Sequence, residues 1–413
     1  MPLTGPGTPS AGAAGWSPGG PTASAPREIE RRSEPFQQFI LKVVSRCNLS
    51  CDYCYVYEMA DQSWRQRPTV MALDVLAVAA HRIGEHANTH GLRAVRVILH
   101  GGEPMLAGPE WLGEALTILR AAVPRRVSVN VTVQTNGLLL DDEILAVLHR
   151  HRVRVGISLD GPAAAHDRHR TYASGRGSHA QVMAALALLG NERHRGLFAG
   201  LLCVVDPAND PLAVYEELLR HAPPAVDFML PHGTWSAPPP GRTPGDPGTP
   251  YADWLIPVFD RWYEAPRRPT DVRLFSEIIH VLLGGRSGTE DIGLTPSSVL
   301  VIETDGALEQ VDALKAAYPG APATGLTVAD GPFDLALGHP AVVARQQGVA
   351  GLSAECRRCE IRDVCGGGYY PHRYRAGSGF ANPSVYCPDL LALIRHIRRR
   401  VHADLARLSR QVE

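Results

Sequence analysis

What this chain has little of bounds what it can be. No stretch approaches the 18 or so consecutive apolar residues needed to cross a bilayer, and the formal net charge is only -1. Neither a membrane nor nucleic acid is therefore expected as a partner, since no global field would draw one in. The opening 26 residues, rich in Pro, Gly, Ala, Ser and Thr, lack both a basic start and an apolar core segment. They read as a disordered leader, drawn to residue 34, and not as a signal peptide, which points to a reducing, cytoplasmic setting. Cysteine is scarce, with eight in 413 residues, yet three fall near residue 50 and four between 356 and 387. Such local sets suit metal or redox sites better than a disulfide framework. The odd one, Cys203, lies in an apolar run and reads as a small buried hydrophobe.

What is present is ordinary globular material, 45% apolar and 20% charged. The length exceeds a usual domain of about 100 to 200 residues, so two domains are expected. From Phe36 onward, short β-branched runs at 38-44, 94-99, 127-134, 153-159, 197-205 and 226-230 alternate with helical patterns at 71-88, 109-122, 141-149, 179-191 and 211-220. That alternation predicts βα units on a parallel sheet, an α/β partial barrel of six strands with its site at the strands' C-terminal edges. Further helices are expected over 251-264, 271-284 and 388-410, with a strand and hairpin turn at Ser298 to Gly306. The arginines at 395, 398, 399 and 400 read as a solvated helix face. The loop from Pro231 to Pro250, with seven prolines, reads as substrate-facing.

The chemistry gathers at those edges. After the first strand comes Cys47-x3-Cys51-x2-Cys54, whose three thiolates can hold three irons of a four-iron four-sulfur cluster and leave the fourth open to an exogenous molecule. A zinc site is the alternative, but its usual paired spacings are not supplied. The second strand ends in His100-Gly101-Gly102-Glu103-Pro104, where glycines admit close backbone approach or simply a tight turn. Polar residues Asn136, Ser158 and Asp160 end the third and fourth strands. His166 and His169 in the charged run that follows read as surface or turn residues. Near the C-terminus, Cys356, Cys359, Cys365 and Cys387 would satisfy a complete iron-sulfur cluster, or equally a structural zinc.

The Cys47, Cys51, Cys54 spacing with Tyr53 resembles the signature of radical S-adenosylmethionine (SAM) enzymes. The resemblance implies that SAM chelates the open iron, that Tyr53 packs beside it, and that Gly101, Gly102 and Glu103 hold its methionyl ammonium. It further implies that Asn136, Ser158 and Asp160 serve its ribose and carboxylate, that Arg170 pairs with the carboxylate, and that Val204 packs on adenine. The last four cysteines and the Asp305-Gly306 turn resemble the SPASM segment of peptide-modifying members. Ser297, Ser298, Val311 and Tyr369 stand where further cysteines would be expected, so one auxiliary cluster is retained and one is missing. Val301 to Asp312 and Cys365 to Tyr374 narrow the resemblance to the FxsB-type cyclophane-forming maturases.

The implied reaction joins an aromatic ring to a residue β-carbon in a ribosomally synthesised precursor peptide. It would use two four-iron four-sulfur clusters, SAM and an external electron donor such as flavodoxin or ferredoxin. Asp312 and Glu303 are the candidate proton acceptors, and an exposed strand edge is a candidate for peptide capture. Other SPASM chemistries, thioether formation or Ser/Cys oxidation, remain alternatives, as does a non-catalytic iron-sulfur protein. The expected division is leader 1-34, partial barrel 35-260, helical bridge 261-290, SPASM-like domain 291-390 and C-terminal helix 391-413.

Overall fold

The computed structural model describes residues 33-412. The expected leader thus lies outside the described residues except for its last two. Of these, Glu34 is tied down by its N–H donating to Gln346 Oε1 at 3.0 Å.

Six strands, β1 (Gln38–Val44), β2 (Ala94–Gly101), β3 (Ser128–Thr135), β4 (Arg154–Ser158), β5 (Phe198–Val204) and β6 (Ala225–Met229), run parallel in sequence order. Each alternates its side chains. On β1, Phe39, Leu41 and Val43 are fully buried toward the covering helices. Gln38 and Ile40 line the barrel's interior cavity. The covering helices include α1 (Leu73–Thr89), α2 (Pro109–Ala122), α3 (Asp142–Arg150), α4 (Ala163–His169), α5 (His179–Gly190) and α6 (Pro211–Leu219). Two of them start where an aspartate caps them: Asp141 accepts from Ile144 N–H at 2.9 Å and Asp210 from Ala213 N–H at 2.7 Å, each satisfying an otherwise orphaned donor. No described helix is long and apolar enough to cross a membrane.

The hairpin expected in a separate second domain joins the barrel instead. Strand β7 (Asp271–Val272) extends the sheet beyond β6, while β8 (Val299–Ile302) pairs in parallel with the free edge of β1. Strands β9 (Ala307–Glu309) and β10 (Ala323–Thr327) continue antiparallel, so all ten described strands form one sheet. The reason is the unmet hydrogen bonding of β1, which an open barrel leaves exposed. Two more helices, α7 (Pro250–Tyr263) and α8 (Arg273–Leu282), pack with the C-terminal helix Cys387–Val412 through Phe259, Trp262, Phe275 and His396.

Three expectations are corrected. The arginines of the C-terminal helix do not form a purely solvated face: Arg395 and Arg398 pair with Glu360, and Arg400 pairs with Asp260 at 2.6 Å. The proline-rich loop is only partly directed at the site. Its Trp235 indole donates to Pro383 O at 2.7 Å and its Tyr251 boundary is held by Asp389, so its ends anchor the C-terminal segment while most of its middle is exposed. The outer strand β10 is a poor template for an added strand. Gly325 there has φ 75° and a bulge interrupts the pairing, while the Leu326 and Thr327 N–H groups are taken by Thr324 and Asp330 side chains.

Candidate cofactor and active site

The loop after β1 carries the first cysteine set, and its shape is fixed by its neighbours. Ser50 N–H donates to Thr171 O at 2.7 Å, and the Tyr57 and Glu58 N–H groups both return to Cys54 O. Leu49 N–H and the Asn136 amide approach Cys47 Sγ at 3.4 and 3.8 Å. Donors aimed at a sulfur favour its charged form. The end of β2 crosses this loop, with Gly102 N–H on Val44 O and Glu103 N–H on Arg46 O. A Cβ at Gly101 would strike Val44 O, and one at Gly102 would strike Tyr57 Oη and Arg46 O. The glycine pair is therefore demanded by the cysteine loop itself, apart from any ligand.

One cavity collects the expected residues. Cys47, Cys51, Cys54, Tyr53, Gly101, Gly102, Asn136, Ser158, Arg170 and Val204 all line it, with apolar Leu49, Leu202, Met229 and Leu230. Glu103 and Asp160 stand behind that wall. The Glu103 carboxylate accepts from Met105 N–H, Thr135 Oγ1 and Asn136 N–H at 3.0, 2.6 and 2.8 Å, so it joins the ends of β2 and β3. Its side chain is committed as a brace, which corrects the expectation that it faces a ligand ammonium. Asp160 accepts from Val204 N–H at 3.0 Å and from the Tyr53 hydroxyl. Arg170 Nη1 donates to that hydroxyl at 2.8 Å, and its Nε is buried without a partner. A guanidinium that lines a cavity with most of its donors unspent can pair with a carboxylate.

The residues fit an iron-sulfur cluster. Burial pushes Cys47 up to about 12 and Cys51 up to about 11, the latter against the opposing pull of Arg170. Three such thiols can ionise together only against a bound cation. The second set behaves alike. Burial first, and neighbouring thiols next, push Cys365 to about 12 and Cys387 to about 11, while Cys356 is raised by burial. Gly366, Gly367 and Gly368 take φ of 60°, 81° and 70° in succession, and Arg373 Nη2 donates to the first and third carbonyls at 2.6 and 2.7 Å. That turn swings the chain from Cys365 toward Tyr369. All eight cysteines are free thiols, and Cys203 is buried core as expected.

Three of the positions expected to have lost cysteines, Ser298, Val311 and Tyr369, line one cavity of about 450 Å³ together with Asp312. Met229 lines both this cavity and that of the cysteine loop. Asp312 Oδ2 lies 2.6 Å from both Lys42 Nζ and Tyr55 Oη. The Lys42 ammonium leads the pairing partners that outweigh burial and hold this carboxyl well below the usual range. Glu303 is elsewhere: it pairs at 3.1 Å with the buried Lys315, which also holds Glu309, and it does not line the cysteine cavity. His166, expected at the surface, is fully buried and bonded to Ser178 Oγ at 3.0 Å. His169 bridges Asp52 and Asp206.

Sequence reasoning missed Lys42, Tyr55, His100, Gln134 and His232. Lys42 and Gln134 sit on the interior-facing parity of their strands, which was the available signal. Tyr55 and His100 adjoin the cysteine and glycine motifs, and His232 carries no local signal.

Residues 41-210 match the model of the Radical SAM superfamily. Among curated proteins, the chain is 26% identical over 289 residues to a cysteine-type anaerobic sulfatase-maturating enzyme of Clostridium perfringens, covering 67% of this chain and 74% of the relative. It is 30% identical over 197 residues to a serine-type anaerobic sulfatase-maturating enzyme of Klebsiella aerogenes, covering 47% and 46%. Among solved structures, anSMEcpe with bound AdoMet and a peptide matches with TM-score 0.76 at 22% identity, over 90% of this chain and 99% of that one. Streptococcus suis SuiB bound to its precursor peptide SuiA matches with TM-score 0.57 at 13% identity, over 86% and 76%. At these identities the structural likeness establishes the fold.

Proposed function

We propose that this chain is a radical SAM enzyme that installs a carbon-carbon cyclophane cross-link in a ribosomally synthesised precursor peptide, joining an aromatic ring to the β-carbon of a nearby residue. When bound, the first cluster and SAM supply a 5′-deoxyadenosyl radical that takes one hydrogen atom from carbon. Cys47, Cys51 and Cys54 would hold that cluster, and Cys356, Cys359, Cys365 and Cys387 a second. The guanidinium of Arg170, steadied by the Tyr53 hydroxyl that Asp160 in turn holds, would take the SAM carboxylate. Leu202, Val204 and Met229 would keep water from the reacting carbon.

The observation that carries the reading is the cavity of about 450 Å³ lined by Ser298, Val311, Asp312 and Tyr369. It shares Met229 with the cysteine cavity, so a peptide side chain lodged there has a route to the radical. Its aromatic wall, Tyr369, suits a reaction in which a ring must be stacked. A peptide substrate is further supported by the solved relatives bound to peptides.

A second reading, oxidation of a Cys or Ser side chain to an aldehyde, is favoured by the coverage of the sulfatase-maturating relative. Product mass separates the two. Co-expression with a candidate precursor peptide, followed by tandem mass spectrometry, should give a two-hydrogen loss confined to an aromatic-x-residue triplet. A thioether, an aldehyde or an unmodified peptide beside active SAM cleavage would remove the cyclophane assignment.

A further inference from the structure

We propose that His232 takes up the proton that the substrate's aromatic ring loses as the cross-link closes. This rests on the cyclophane reading and names a group that no motif singled out.

His232 stands in the loop leaving β6. It lines the cavity of Cys47, Cys51 and Cys54, and also the adjoining cavity walled by Asp291, Tyr369 and His372. Its ring is held by aromatic contacts: Tyr55 meets it edge-on with centroids 4.9 Å apart, and Tyr369 and His372 pack at 6.0 and 5.7 Å. Its Nδ1 is buried without a hydrogen-bond partner. Burial brings the imidazole down to about 4, against the opposing pull of Asp312. The ring is therefore neutral in neutral solution and keeps a nitrogen lone pair. The titratable groups facing it are Tyr55 from the cysteine loop, Asp312 beyond β9, and Tyr369 and His372 from the segment after the glycine run.

The other acceptors nearby are committed or, like Asp291 and His372, do not line the cysteine cavity. Asp312 Oδ2 already receives Lys42 and Tyr55, and Asp312 does not line the cysteine cavity. Glu303 is paired with Lys315. His100 does line the cavity, but its Nδ1 lies 3.2 Å from Lys42 Nζ. An ammonium can only donate, so the His100 ring hydrogen sits on Nε2 and that imidazole offers the cavity a donor. The phenols of Tyr53, Tyr55 and Tyr57 are donors as well, and Arg170 is a cation. Among the residues lining the cysteine cavity, that leaves His232 with the uncommitted base.

The step balances as follows. One hydrogen atom passes from the β-carbon to the 5′-deoxyadenosyl radical, and the resulting carbon radical bonds to a ring carbon. The hydrogen on that ring carbon leaves as a proton to His232, and the remaining electron passes to an iron-sulfur cluster. Two C–H bonds give way to one C–C bond, and the peptide is two hydrogens lighter.

The test uses the cluster-loaded enzyme with its peptide and counts cross-linked product per 5′-deoxyadenosine formed. His232→Ala and His232→Gln should each lower this ratio about 100-fold, the scale of a lost general base. Added imidazole should raise the ratio of His232→Ala about tenfold. Freeze-quenched electron paramagnetic resonance of either variant should show an organic radical whose splitting changes when the peptide ring is deuterated. His232→Gln keeps most of the side-chain volume and decides the matter if the alanine variant does not fold. Ratios within about threefold of wild type, or a loss with neither imidazole rescue nor a ring radical, would overturn the proposal. A loss confined to Asp312→Asn would move the proton to that carboxylate. A wild-type product that is an aldehyde or thioether would instead sink the cyclophane reading, before any variant is made.

Discussion

Lys42 Nζ and Asp312 Oδ2, 270 residues apart in the chain, meet at 2.6 Å with both side chains buried. The lysine comes from β1 and the aspartate from the short helix after β9, so this pair ties the first strand of the barrel to the segment between β9 and β10. Breaking it from one side strands a buried charge. Lys42→Met should destabilise the fold by about 3 kcal/mol. The double variant Lys42→Met/Asp312→Asn should recover much of that loss, read by chemical denaturation. Equal destabilisation in single and double variants would show that the pair is not coupled.

The two cysteine sets should load independently. Anaerobic reconstitution should give about eight irons per chain, and Cys51→Ala or Cys365→Ala about four each. Gly102→Ala should resemble Cys51→Ala, because its methyl group would displace Tyr57 and the Arg46 carbonyl beneath the cysteine loop. Iron and sulfide assays with absorption spectra check all three. A Gly102→Ala protein with the full iron complement would show that the loop tolerates the displacement.

Arg170 presents a buried guanidinium, held by the Tyr53 hydroxyl, to the wall of the cysteine cavity. Arg170→Met should weaken SAM binding by about 10- to 100-fold, the range for a charge-assisted hydrogen bond. Tyr53→Phe, which leaves the guanidinium in place but removes its brace, should weaken binding less. Equilibrium binding to the reconstituted enzyme measures both.

His86 gives the fold an acid-sensitive joint. Its Nε2 accepts from Phe36 N–H at 3.0 Å, which places the ring hydrogen on Nδ1. His90 and Asp334 gather beside it as a possible ligand trio, but a protonated Nδ1 has no lone pair for a metal. Burial lowers His86 from 6.5 to about 4. The folded state therefore binds fewer protons than the unfolded one across that window, and stability is lost as pH falls from 6.5 toward 4. The shift corresponds to about 3 kcal/mol. His86→Gln should flatten the pH dependence of the melting temperature over that range, and an unchanged slope would assign it to other groups.

Much of this architecture was legible because it is local. The six parallel strands follow from β-branched runs, and their helices from spacing and from caps such as Asp141 and Asp210. The cysteine spacings and the glycine pair likewise lie within a few residues of one another. What escaped notice depends on distant partners. Lys42 looks like a stray charge in an apolar strand until Asp312 is folded against it. His166 sits in a run of charged residues, but α4 turns it inward onto Ser178. Glu303 looked like a site acid, and only the fold reveals Lys315 beside it. The joining of β8 to β1 was hidden for the same reason, since pairing across some 260 residues leaves no mark in either strand's own pattern.

That junction removes any seam along which the protein could be taken apart. A fragment ending near residue 290 would keep the three-cysteine loop, yet it would expose the backbone groups of β1 that β8 now satisfies, an edge ready to recruit other chains. The reverse fragment would lose the strand on which its hairpin is templated. For a would-be engineer, the two cysteine-bearing halves are one inheritable unit, and grafting either onto a foreign partner means carrying a matching strand with it.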